Sequence, residues 1–141
     1  MEKTVYVESD VEALADRSLR GSPVALRGAR VFVAEDEPML LWALEEVLDN
    51  LGCKAVGSAT TVAEALGFVN RNVFDVAILD GQLADGDIQP VFDLLIARGT
   101  PVVIASGSDR LKTSARFRNA VILQKPYRDE DLETALLAVM A

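Results

Sequence analysis

Short apolar runs alternate with amphipathic stretches along most of the chain. The run from Val73 to Asp80 is apolar except at Asp75 and at its end, and its length suits a strand buried on both faces of a parallel sheet. Four similar runs predict the remaining strands, at 30–34, 54–57, 101–105 and 121–124. Apolar residues at helical spacing predict helices that begin near residues 38, 60, 89 and 128.

This alternation defines the fold class. It requires parallel strands joined by right-handed crossovers, so we expect an α/β, doubly wound (βα)5 domain over residues 29–141. The expected strand order is the flavodoxin-like 2-1-3-4-5, with helices on both faces of the sheet. The segment 107–119 has only Leu111, Ala115 and Phe117 to bury, so any helix there should be short or mobile.

Residues 1–28 form an extension before this domain. Ser9 or Asp10 could cap a short helix, which Gly21, Ser22 and Pro23 would then end. Three roles stay open for the extension: docking on the domain, support of a homodimer, or a loosely attached tail.

The first helix has an apolar face and an acidic face. Its predicted buried residues are Leu40, Leu44, Val47, Leu48 and Leu51. Trp42 falls on the opposite face, beside Glu45 and Glu46. The extension could cover this tryptophan, or the tryptophan could be a docking anchor for a partner protein.

Composition narrows the function classes. At 141 residues, half of them hydrophobic, the chain can bury the core of one domain. Its formal net charge of −8 argues against nucleic acid or an anionic membrane as a partner. A local basic patch is more simply interpreted as a solvated helix face. That patch comprises Arg110, Lys112, Arg116 and Arg118.

Cysteine and histidine usage excludes several chemistries. Cys53 is the single cysteine and no histidine is present, which excludes an internal disulfide, imidazole zinc sites and His-based triads within this chain. The N-terminal residues lack the apolar run of a signal peptide, and no stretch approaches ~18 apolar residues. We therefore expect a cytoplasmic protein.

Polar residues follow four of the predicted strands. They are Glu35 with Asp36, then Asp80, Ser106 and Lys125. Because ligands of open α/β sheets bind at the carboxyl ends of the strands, we expect these side chains to converge. Each alone has a plainer interpretation, as a helix cap, a turn former or a surface lysine. Four such features, each at a different strand end, favour a common site.

The chemistry of this set indicates phosphoryl transfer. Two carboxylates ~4 Å apart repel by roughly 4 kcal/mol at an effective dielectric of ~20, which a hard cation such as Mg²⁺ would offset. Glu35, Asp36, Asp80 and the backbone carbonyl of Gln82 could supply its oxygen ligands. Asp80 could then attack a phosphoryl donor, with the Lys125 ammonium opposite the developing charge. In this interpretation the Ser106 hydroxyl hydrogen-bonds a phosphoryl oxygen.

Four motifs together resemble the receiver domain of bacterial two-component response regulators. They are residues 31–38 (Val-Phe-Val-Ala-Glu-Asp-Glu-Pro), 78–80 (Ile-Leu-Asp), 106–107 (Ser-Gly) and 124–127 (Gln-Lys-Pro-Tyr). The resemblance spans about residues 30–141 and implies that Asp80 takes phosphate from a histidine of a partner kinase or phosphotransfer protein. It also implies that Ser106 and Lys125 sense the phosphoryl group, and that the domain is no enzyme beyond its own phosphorylation and dephosphorylation.

The resemblance also assigns secondary roles. Positions 82 and 108, here Gln82 and Ser108, tune phosphoryl lifetime in the family. Trp42, Pro126 and Tyr127 would face the kinase partner. Since the chain stops just after the last helix, we expect a stand-alone regulator whose output is contact with another, unidentified protein.

Two positions depart from the family pattern. Ile122 replaces the aromatic switch residue that many receivers carry three residues before the lysine. Ala84 replaces the proline usual four residues after the phosphorylated aspartate, so we expect a mobile loop over 81–88.

Three rival functions use the same fold or chemistry. A pseudo-receiver would bind partners without being phosphorylated. An aspartate-nucleophile phosphatase of the haloacid dehalogenase type would need an Asp-x-Asp motif, which Asp36-Glu37-Pro38 does not provide. A flavodoxin-like carrier is disfavoured because the acidic loop after the first strand would repel a phosphate cofactor.

Overall fold

A computed structural model describes residues 5–7, 24–107, 113 and 115–141, with Tyr6 described by its backbone alone. Within these residues six parallel strands form one sheet: β1 (Val5–Val7), β2 (Arg30–Ala34), β3 (Lys54–Ala59), β4 (Val76–Asp80), β7 (Val102–Ser106) and β8 (Val121–Gln124). Their order is β3-β2-β4-β7-β8-β1. The five predicted strands correspond to β2, β3, β4, β7 and β8. Counted in chain order, these five lie in the predicted order 2-1-3-4-5, so the flavodoxin-like fold class is confirmed.

The first strand was not predicted. Val5, Tyr6 and Val7 pair in parallel with Val121, Ile122 and Leu123 of β8. The Val7 side chain is buried against that strand and the last helix. The extension therefore contributes a sixth strand to the sheet. The helix predicted after Ser9 or Asp10 lies outside the described residues.

Four α-helices of the described residues cover the two faces of the sheet. They are α1 (Pro38–Asn50), α2 (Val62–Arg71), α3 (Gln89–Ala97) and α4 (Asp129–Met140), with a 3₁₀ turn at Val24–Leu26. α1 and α4 pack on one face and α2 and α3 on the other. Because the side chains of each strand alternate between the two faces, each face has an apolar cluster of its own for the helices to cover. The predicted helices thus form with small boundary shifts.

Local signals explain where the helices begin and end. The Thr61 hydroxyl accepts a hydrogen bond from the backbone N–H of Glu64 (3.1 Å), which caps α2. Pro38 occupies the first turn of α1, where its fixed φ is favourable. Gly52 has φ 85° just after α1, a conformation that glycine adopts at little cost.

The loop after β4 forms an antiparallel hairpin of β5 (Gln82–Leu83) and β6 (Gly86–Asp87). Asp85 lies in the turn of this hairpin. Its carboxylate accepts hydrogen bonds from the first backbone N–H groups of α2, at Val62 (2.7 Å) and Ala63 (3.3 Å). The hairpin is thereby attached to a helix that lies earlier in the chain.

A bulge in β3 lies beside an aromatic cluster. Val31 pairs with Ala55 but Phe32 pairs with Gly57, so one residue of β3 is skipped. The Phe68 ring stacks on Phe32 with 4.7 Å between centroids. A Cβ on Gly57 would lie only 2.2 Å from this Phe68 ring, so glycine is needed for the close approach.

Three predicted buried positions are exposed. Val73 is 80% exposed because β4 begins only at Val76, and Leu40 is 46% exposed at the start of α1. Ala115 is exposed as well, whereas Phe117 is buried edge-on against Phe92.

Candidate functional site

The carboxyl ends of four neighbouring strands carry the predicted site residues. Asp80 ends β4 in register with Ala105, and Ser106 ends β7 in register with Gln124. The backbone N–H of Lys125 donates to the carbonyl of Ser106 (3.0 Å). Backbone pairing therefore continues to the carboxyl ends of these strands. It fixes the positions of Asp80, Ser106 and Lys125 along the strand direction relative to one another.

The three predicted acids meet at this edge. Glu35, Asp36 and Asp80 each offer one carboxylate oxygen, and these oxygens lie within 4.8 Å of one another. Glu35 is buried while the other two are half-buried. The Glu35 carboxylate accepts from the backbone N–H of Glu37 (3.2 Å), and that of Asp80 accepts from the N–H of Gln82 (3.2 Å). Backbone donors thus orient two of the three acids.

Lys125 supplies the positive charge of the group. Its Nζ lies 3.0 Å from Asp80 Oδ2 and 3.5 Å from Glu35 Oε1. Burial raises the pKa of Glu35, and the Asp80 charge adds to this, against the lowering effects of the Glu37 N–H and Lys125. Burial alone would lower the pKa of Lys125, but the contacts with Asp80 and Glu35 outweigh it and raise the pKa. Lys125 is therefore a cation at neutral pH.

A cavity of about 240 Å³ opens beside Asp80. Ser106, Lys125 and Gln82 line it. The peptide bond between Lys125 and Pro126 is cis. Ser108 lies outside the described residues. The carbonyl of Gln82 as a metal ligand stays a prediction.

Sequence reasoning missed two contributors to this cavity. The buried Thr113 places its hydroxyl 3.5 Å from that of Ser106. Arg116, assigned above to a solvated patch, also lines the cavity. Nothing in the sequence marks Thr113, because no local pattern encodes its contact with Ser106.

Arg116 is bound to the hairpin and to the start of α3. Its guanidinium contacts Asp87 Oδ1 and donates to Gln89 Oε1 (3.3 Å). Asp87 Oδ1 also accepts from the backbone N–H of Gln89 (2.8 Å), the first residue of α3. An acid close to a helix N-terminus is a favourable signal that the sequence does contain.

An apolar surface lies beside the acids on α1. Met39 (70%), Leu40 (46%) and Trp42 (59%) are exposed there. A groove of about 420 Å³ runs between α1 and the loop after β8, where it is lined by Leu40, Pro126 and Tyr127 among others. Burial, with the nearby acidic charges, raises the pKa of Tyr127 to about 12, so its phenol stays protonated.

The fold and the group of residues at the carboxyl ends of its strands define a class of protein. The response regulator receiver domain family matches residues 31–137, and the chain belongs to this family. It is thus a receiver domain of the kind found in two-component signalling regulators.

Several individual proteins are similar to it. The Phyllosphere-induced regulator PhyR of Methylorubrum extorquens is 30% identical over 132 residues, which are 91% of this chain and 49% of that protein. The response regulator PhyR from Brucella abortus has a TM-score of 0.72 and 27% identity, covering 82% of this chain and 50% of that one. SdrG from Sphingomonas melonis Fr1 has a TM-score of 0.70 and 37% identity, covering 84% and 100%. The chain spans about half the length of the curated relatives it matches.

Among the described residues, none of the helices combines the length and the apolar character that crossing a bilayer requires.

Proposed function

We propose that Asp80 accepts a phosphoryl group from a histidine of a partner kinase or phosphotransfer protein. The observation that carries this proposal is the Lys125 ammonium, 3.0 Å from Asp80 Oδ2 within a group of three acids. A carboxylate so placed is an available nucleophile, and the cation beside it offsets charge that develops during transfer. The domain would catalyse only its own phosphorylation and dephosphorylation.

The proposed step is a displacement at phosphorus. An oxygen of Asp80 forms a bond to phosphorus as the bond between phosphorus and the donor imidazole nitrogen breaks. The imidazole keeps the electron pair and takes a proton from solvent. The product is an acyl phosphate on Asp80, and water regenerates the carboxylate by attacking phosphorus.

The three acids fit Mg²⁺ as the cofactor. Mg²⁺ takes oxygen ligands, and Glu35, Asp36 and Asp80 bring three carboxylates within 4.8 Å of one another. Bound there, it would neutralise charge on the transferring phosphoryl oxygens. The Gln82 carbonyl is the fourth proposed protein ligand, and the side chains at positions 82 and 108 are proposed to set the phosphoryl lifetime.

Ser106 and Lys125 are the proposed sensors of phosphorylation. Both line the cavity beside Asp80. The aromatic switch position holds Ile122, which is 1% exposed in the core. The signal would therefore pass through rearrangement of the segment after Ser106, and output would be contact with another protein.

Partner docking is proposed at α1 and the adjoining groove. Trp42 and Leu40 are exposed within a few residues of Asp36, and Pro126 and Tyr127 line the same groove as Leu40. An exposed tryptophan is typical of an interface anchor. A kinase helix seated there would bring its histidine to the acid site.

Intact mass spectrometry after incubation with acetyl phosphate and Mg²⁺ tests the function. We expect the wild type to gain one phosphoryl mass and Asp80→Asn to gain none. A wild type that stays unmodified, and whose amide spectrum does not respond to beryllofluoride, would be a pseudo-receiver. Sustained hydrolysis of p-nitrophenyl phosphate would instead indicate a phosphatase.

A further inference from the structure

Arg116 occupies a position that the proposed function leaves unexplained. It lines the same cavity as Asp80, Ser106 and Lys125, yet its guanidinium is bound by Asp87, just before the N-terminus of α3. Its side chain is 43% exposed and that of Asp87 is 42% exposed. An ion pair this exposed contributes little to stability, so its position beside the cavity calls for another role.

Phosphorylation adds acceptor oxygens and negative charge to the cavity. The acyl phosphate carries a charge of about −1.5 to −2 and three phosphoryl oxygens, in place of the single negative charge of the Asp80 carboxylate. Arginine binds such oxygens through two parallel N–H donors, a geometry that phosphate offers as readily as a carboxylate does. A phosphoryl group on Asp80 would therefore compete with Asp87 for the Arg116 guanidinium.

Resting on the proposed phosphorylation of Asp80, we propose that Arg116 is a second phosphoryl-binding cation. Asp87 holds it before phosphorylation, and the phosphoryl group binds it afterwards. The guanidinium also donates to Gln89 Oε1 (3.3 Å), and the Arg116 carbonyl accepts from Gln89 Nε2 (3.4 Å). Its transfer would remove the contacts of Arg116 with Asp87 in the hairpin and with Gln89 at the start of α3. In this chain, with Ile122 at the aromatic position, it would carry the signal away from the site.

Opposite substitutions separate this role from a structural one. Arg116→Gln removes the cation, whereas Asp87→Asn removes the negative charge that holds the cation and keeps an oxygen to accept from the Gln89 N–H. If the pair only braces the hairpin, either change should affect beryllofluoride binding in the same direction. If Arg116 binds the phosphoryl group, the two changes should act in opposite directions.

The experiment is a titration of each variant with beryllofluoride at saturating Mg²⁺, followed by amide NMR. We expect Arg116→Gln to weaken binding about tenfold and Asp87→Asn to tighten it by several-fold. The double variant should match Arg116→Gln, and Arg116→Lys should recover part of the affinity. Arg118→Gln, which removes the same charge two residues away, should change binding by less than about twofold.

Three results would overturn the inference. If both single substitutions weaken beryllofluoride binding, the Arg116–Asp87 pair has only a structural role. An Asp87→Asn effect that persists in full without Arg116 would reflect the lost negative charge alone. A wild type that does not bind beryllofluoride would refute the proposed function and this inference together, whereas the first two results leave the function standing.

Discussion

Replacing Lys125 by methionine should tighten Mg²⁺ binding while it slows phosphorylation. The Lys125 ammonium lies 3.0 Å from Asp80 Oδ2 and 3.5 Å from Glu35 Oε1. A metal ion at the three acids must share both carboxylates with this ammonium. Methionine matches the lysine side chain up to Cε and lacks the ammonium, so the acids become free for the metal ion.

The distances give the expected size of the effect. At an effective dielectric of ~20, the ammonium attracts Asp80 by roughly 332/(20 × 3.0), or ~5.5 kcal/mol, before solvent screening. If only a quarter of this attraction competes with the metal ion, ~1.4 kcal/mol is recovered, which is a tenfold change in affinity. We therefore expect Lys125→Met to bind Mg²⁺ about tenfold more tightly.

The measurement is a calorimetric or NMR titration with MgCl₂ at pH 8. The pKa of Glu35 is raised by burial, and losing Lys125 would raise it further, so a lower pH would mask the effect by protonation. Lys54→Met is the matched control, since Lys54 is exposed on β3 and carries the same charge. Equal or weaker Mg²⁺ binding by Lys125→Met than by Lys54→Met would refute competition between the ammonium and the metal ion.

Three further predictions concern packing, pH and docking. Gly57→Ala places a Cβ 2.2 Å from Phe68 and should lower the free energy of unfolding by about 1–3 kcal/mol in a denaturant titration, whereas an unchanged midpoint would contradict the close approach. Hydrogen bonds from Arg30 lower the pKa of Asp75, so this carboxylate stabilises the fold above its unfolded pKa of ~3.9 and the contribution is lost as pH falls. Acid unfolding of Asp75→Asn should accordingly depend less steeply on pH than that of the wild type. Trp42→Ala should leave phosphorylation by acetyl phosphate unchanged and slow transfer from a phosphohistidine partner, and equal slowing of both would argue against docking.

Local patterns predicted the site because each residue follows an apolar strand. Asp80, Ser106 and Lys125 are placed by strand ends, and parallel strands bring such ends to one edge whatever the intervening helices do. The burial period also identified Leu44 and Leu48 as core residues of α1. The pattern could not tell that Leu40 stays exposed, since helical spacing gives the direction of a side chain but not what packs beside it in the fold.

Contacts between distant segments account for what was missed. Asp85 caps α2 although it follows that helix in the chain, and no spacing rule links the two. Arg116 belongs to an apparently ordinary basic patch, and only the folded chain places it on the cavity beside Asp80. β1 is three residues long, which is too short for its apolar character to stand out from the sequence around it.

β1 has a practical consequence for any shorter version of this protein. A fragment cut at the family boundaries, residues 31–137, would lose the strand that satisfies the outer backbone groups of β8. Residues 121–123 would then present unpaired N–H and C=O groups next to an uncovered apolar core, a surface prone to strand-to-strand aggregation. Self-association of such a fragment would reflect this exposed margin of the sheet, and a dimer observed with it would say little about the chain that retains β1.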